Sequence, residues 1–75
     1  MFTLVVVLAV SLMGQKVGDQ NLYKRGFESV ASCEEFFVSS RSQDAIAAEV
    51  EEVKEDLSQL GAVDVQISHT CQEQH

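Results

Sequence analysis

Phe2 to Met13 is an apolar run broken only by Thr3 and Ser11, and it leaves few ways to fold the rest of the chain. Twelve residues are too few for a helix to cross a bilayer, which takes about 20, so no membrane span is expected. Val5, Val6, Val7, Val10 and Thr3 are β-branched, stiff at χ1 in helices and well suited to a pleated surface. Alternation puts Phe2, Leu4, Val6, Leu8, Val10 and Leu12 on one face. Thr3, Val5, Val7, Ala9, Ser11 and Met13 fall on the other, smaller but still mostly apolar. A strand apolar on both faces belongs in the middle of a sheet. The competing reading is a cleaved secretory leader, whose apolar centre has a similar length. Against it, no Lys or Arg precedes the run, and Leu12-Met13-Gly14 puts Leu where a small residue is needed before cleavage. The strand is the expectation; the leader is carried as its alternative.

The residues after this run suggest a return. Gly14 and Gly18-Asp19-Gln20-Asn21 are turn formers, and Leu22 to Phe27 reads as a second, antiparallel strand. Periodicity then changes. Ser29 is a candidate N-cap, and Ser32 with Glu35 offers a second candidate as a capping box. Val30, Cys33 and Phe37 share a helical face, widened by Phe36. Ser39-Ser40-Arg41-Ser42-Gln43 interrupts the pattern, Ser42 or Ser40 is the candidate cap of a new helix, and the helical region is expected as two pieces, 30–38 and 43–60. In the second, Ile46, Val50, Val53, Leu57 and Leu60 recur at spacings of 4 and 3, an apolar stripe for packing on a sheet, and Gly61 marks its end. Val63, Val65, Ile67, His69 and Cys71 alternate with polar residues in a half-buried final strand.

These elements give an α+β chain of order β-β-α-β. A right-handed crossover from the second strand to the third places the third beside the first, giving sheet order 2-1-3 with the helical segment on one face. Residues 1–71 are expected to form one small domain, with 72–75 as a frayed tail. The same topology returns Cys71 to the start of the helix at Cys33. The pair is read either as a disulfide or as two reduced, packed thiols, depending on the redox compartment. His69, Cys71, His75 and Cys33 lack the paired spacing of a zinc site, so no metal and no cofactor are expected. No Ser-His-Asp order, phosphate-binding glycine loop or paired carboxylate cleft is present, and the chain is expected not to be an enzyme.

Charge supplies the functional lead. The 75 residues hold 12 acidic and 5 basic side chains, a net charge of −7. Residues 1–27 carry Lys16, Lys24 and Arg25 against Asp19. Residues 28–75 carry eleven acids against Arg41 and Lys54. Such a chain is not expected to bind nucleic acid directly. Glu51 with Glu55, and Glu52 with Asp56, are like-charge pairs four apart, each costing a few tenths of a kcal/mol in an isolated helix. Glu49, Glu51, Glu52, Glu55 and Asp56 thus form either a solvated helix face or a surface for a basic protein partner, where docking relieves the repulsion. A single helical layer also leaves one sheet face uncovered. Val5, Val7 and Ala9 there suggest a homodimer or partner surface, unless 30–38 folds over it.

Strand, glycine-containing turn, strand, then Phe27-Glu28-Ser29-Val30-Ala31-Ser32-Cys33, a helix and a final strand ending in Cys71: this order resembles a group of small uncharacterised proteins of bacteriophages and proteobacterial genomes. In that group an aromatic–acidic–Ser step opens the helix, and a Cys one turn later faces a Cys near the C-terminus. The match is carried by Phe27, Ser29, Cys33 and Cys71, and this chain departs from it in its long acidic middle. The resemblance implies an accessory gene product, a phage-encoded inhibitor of a host defence protein acting in the host cytoplasm. The alternative is an exported, disulfide-stapled periplasmic or secreted domain left after a signal segment is removed.

Overall fold

The computed structural model describes residues 1–73. Its elements are β1 (Phe2–Leu12), β2 (Gln15–Phe27), α1 (Val30–Val38), α2 (Ser40–Leu57), a 3-10 turn (Ser58–Leu60) and β3 (Val63–Glu73). The sheet is antiparallel, in the order β2-β1-β3, with both helices on one face. This is the expected α+β arrangement, and the Val-rich run is its central strand. Leu4, Val6 and Leu8 point into the helical layer and are almost wholly buried with Cys33 and Ile46. Leu22, Phe27, Phe36, Phe37, Val50, Val65 and Cys71 pack around that nucleus.

Three element boundaries differ from the sequence expectation. The first is the hairpin. Gly18 to Asn21 are not a turn; β2 begins at Gln15, and the loop is the pair Met13-Gly14, with φ of 52° and 83°. A two-residue loop with both φ values positive is the type whose twist matches the flanking strands, and Gly14 adopts it without strain. The polar residues 18–21 are accommodated because β2 is an edge strand, with one side open to water.

The helical break lies at Ser39. Its hydroxyl donates to the Phe36 carbonyl at 2.6 Å, closing α1, and accepts from the Ser42 amide at 3.3 Å, opening α2. The second helix therefore begins at Ser40 rather than 43, and Ser42 is buried rather than capping. Its regular part stops at Leu57, because a tighter 3-10 turn follows and leaves Leu60 exposed, off the core stripe. At the start of α1, Ser29 is the N-cap and Ser32 completes the reciprocal pair, so the box closes on Ser32 rather than on Glu35.

The last strand also runs further than expected. Gln72 pairs with Thr3 and Glu73 with Phe2, so two residues assigned to a frayed tail belong to β3. They are held because β1 extends to Phe2 and offers them partners. The rest of that expected tail, Gln74 and His75, lies outside the described residues.

Candidate functional site: an acidic helix on a stapled sheet

The position of α2 follows from its stripe. Ile46 is buried, and Val50, Val53 and Leu57 are half-buried toward the sheet, so the remaining faces carry the acids into solvent. Glu51, Glu52, Glu55 and Asp56 are exposed. Glu51, Lys54, Glu55 and Ser58 line one shallow hollow, while Glu52 and Asp56 lie four residues apart, one turn along the helix. Glu49 behaves differently. It turns to the β2 flank and accepts a 2.9 Å hydrogen bond from the Gln20 side chain. Of the five acids assigned to one surface, four share the outward side and one is a contact between helix and sheet.

Among the described residues the ion pair is Lys16–Asp19, at 3.0 Å, beside a Glu34–His69 hydrogen-bond contact at 2.8 Å; none of the five α2 acids is in either. Lys54 lies in the hollow with Glu51 and Glu55 but closes an ion pair with neither, so the like-charge repulsion along α2 is only partly offset among the described residues. Helix formation is sustained instead by the apolar stripe and the Ser39 cap, which outweigh a few tenths of a kcal/mol per like-charge pair.

Beside Glu49, a groove of about 460 Å³ opens between the first half of α2 and the β2 side of the sheet. Leu4, Val6, Leu22, Phe36 and Ile46 form its apolar wall; Lys24, Arg41 and Glu49 supply its charge. Lys24 also sits 5.9 Å from the Phe36 ring centroid, within cation–π range. Sequence reading missed this groove. Its signal was the cation pair Lys24 and Arg41, which only the approach of α2 to β2 brings together.

At the other side of the helical layer, Cys33 and Cys71 form a disulfide with a Cα–Cα distance of 6.2 Å. The proximity on which both readings of this pair rest is thus present, with the two sulfurs at disulfide distance. Beside it, His69 stacks on Phe37 with ring centroids 3.7 Å apart and bonds Glu34 through Nε2. Phe27 and Phe36 meet at 5.4 Å. These contacts fix α1 to β3 and β2.

On the uncovered sheet face, Val5 is flanked in register by Tyr23 and Thr70, Val7 by Asn21 and Ser68, and Ala9 by Asp19 and Gln66. Val5 retains only 8% exposure, and Val7 and Ala9 are half-buried. The strip is narrow, walled by polar side chains, and not folded over by 30–38, which packs on the opposite face with Cys33. Thr3 on this face is buried, and its hydroxyl has no partner among the described residues. No helix among the described residues is long and apolar enough to cross a membrane. No family model, no curated protein and no solved structure matches the chain.

Proposed function

We propose that the protein is a small acidic binding protein that docks the exposed side of α2 on a basic surface of a protein partner, without catalysis of its own. The observation that carries this reading is the set Glu51, Glu52, Glu55 and Asp56, exposed along one helix and in no ion pair among the described residues. A rigid, stapled sheet holds that helix in place, so little ordering is required on docking. Complementary charge accelerates encounter and selects the partner, and both effects fade as salt screens them. On the resemblance drawn above, the protein is a phage-encoded inhibitor and the partner a host defence protein in the cytoplasm.

The test is capture from host lysate at low and high salt, with the protein and with a variant carrying Glu52→Lys, Glu55→Lys and Asp56→Lys. Glu49 is left alone because it bonds Gln20. A partner retained at low salt, released at high salt and not captured by the variant fits the proposal. Capture that survives charge reversal would sink it.

A second reading is favoured by one observation, the Cys33–Cys71 bond, since disulfides persist mainly in oxidising compartments. It makes the protein an exported domain. Removal of the first fourteen residues would also remove β1 and with it Leu4, Val6 and Leu8 of the core, which counts against cleavage there. Intact mass of the protein from its native host separates the two, a loss of about fourteen residues supporting export.

A further inference from the structure

The two outer strands of the sheet are built differently, and only one is protected against pairing. β2 is interrupted twice, with Val17 and Gly26 as extra residues opposite β1, and it carries Lys16, Lys24 and Arg25. Bulges and cations are the devices by which edge strands avoid joining other sheets. β3 has neither. It pairs with β1 over eleven residues without a register shift, contains no Pro or Lys, and keeps its acids, Asp64 and Glu73, near its ends. Its centre is Gln66-Ile67-Ser68-His69-Thr70, with no Lys, Arg, Asp or Glu. Ile67 is 48% exposed although it lies on the helix-bearing face, because α1 lies over Cys71 and His69 while α2 reaches across to Gln20.

We propose that β3 is a self-association edge, pairing antiparallel with β3 of a second copy about a two-fold at Ser68. A second copy is the occupant because the unbroken eleven-residue edge can pair with itself and the two-fold sets compatible side chains opposite one another. With Ser68 on the axis, Asp64 lies opposite Gln72, Gln66 opposite Thr70, Ile67 opposite His69, Val65 opposite Cys71 and Val63 opposite Glu73. No acid faces an acid, the exposed Ile67 gains a ring to pack on, and the amides and hydroxyls face one another. Like charges directly opposite would weaken such a pair; only three antiparallel registers of β3 on itself set acid against acid, and the two-fold at Ser68 is not one of them. The two-fold stands perpendicular to the sheet, so the result is one six-stranded sheet, β2-β1-β3-β3-β1-β2, with both helical layers on one side. In that arrangement two acidic helices share one face, which gives a bivalent surface. The proposal does not depend on what α2 binds.

Light scattering and sedimentation across a concentration series test it, using the protein, Ser68→Lys and, as a control on the protected edge, Asn21→Lys. The expected result is a dimer for the protein and for Asn21→Lys. For Ser68→Lys, which sets two ammonium groups against each other on the axis, dissociation should strengthen at least about fivefold. Far-UV circular dichroism and the mass of the intact disulfide confirm that each variant is folded. A monomer at millimolar concentration overturns the proposal. So does a dimer equally resistant to Ser68→Lys, or one lost with Asn21→Lys, which would move the interface to the open sheet face or to β2. Should Ser68→Lys not fold, hydrogen exchange on the unaltered protein decides. Outward-facing β3 amides that gain protection as concentration rises support the pairing, and concentration-independent exchange overturns it.

Discussion

The two ends of the sheet are held by different means. At one, Cys33 is bonded to Cys71, His69 stacks on Phe37 and Phe27 meets Phe36, so α1 is joined to both outer strands. At the other, the Met13-Gly14 loop is tied to the following link by the Met13 amide on the Ala62 carbonyl at 2.8 Å. Gly61 lies so close that a Cβ there would stand 2.7 Å from the Met13 Cγ. Around it Met13, Val17 and Leu60 are exposed. One end is fixed by a covalent bond and aromatic packing, the other by backbone geometry with little burial. A 75-residue chain has a small core, so concentrating it near the staple leaves the hairpin end dependent on turn chemistry.

The staple should matter most. Cys33 and Cys71 are separated by 38 residues, and opening that loop in the unfolded state corresponds to about 4 kcal/mol in the chain-entropy account. Cys33→Ala with Cys71→Ala should therefore lower unfolding free energy in urea by about that much, with the loss of fold largest around α1. An undiminished midpoint would show that aromatic packing alone holds this end.

The hairpin end should respond less, and through geometry. Gly61 has φ of 144°, and Gly61→Ala should cost about 2 kcal/mol from backbone strain and the clash with Met13. Adding Met13→Ala should recover the clash and leave the strain, which a double-mutant cycle separates. Full additivity would mean that the close approach to Met13 contributes nothing.

The smallest effect has the opposite sign and falls on the stapled side. Thr3 is buried with a hydroxyl that has no partner among the described residues, and Thr3→Val keeps its shape while removing that group. A gain of about 1 kcal/mol is expected, read from the urea midpoint at unchanged slope. A loss instead would show that the Thr3 hydroxyl is satisfied in solution.

Some of this was legible in the residues and some was not. The central strand followed from β-branched composition and two apolar faces, and the sheet order then followed from the handedness of the crossover. The thiol proximity came with that order, because antiparallel pairing returns residue 71 to the start of the helix. The extent of β2 was hidden, since Gly18-Asp19-Gln20-Asn21 is turn-like by residue type and strand-like only when β1 lies beside it. Ser29 was readable as the cap of α1, but the cap of α2 was not, for a related reason: several serines were available, and packing of Ser42 into the interior left Ser39 as the cap. Within the candidate site, the acidic run was readable as a run, but the separation of Glu49 from the other four was not, because it depends on Gln20 of another element.

Residue chemistry alone fixed the strand that must lie in the middle, the stripe that must face it and the excess of negative charge that must remain in water. These are local properties: branching, period and charge act at their own positions wherever the chain goes. Tertiary structure decided which serine closes a helix, which acid bonds across to β2, which groove Lys24 and Arg41 both line and which edge is left unguarded. Each of those is a relation between residues far apart in sequence, and its free energy exists only once the sheet has brought them together.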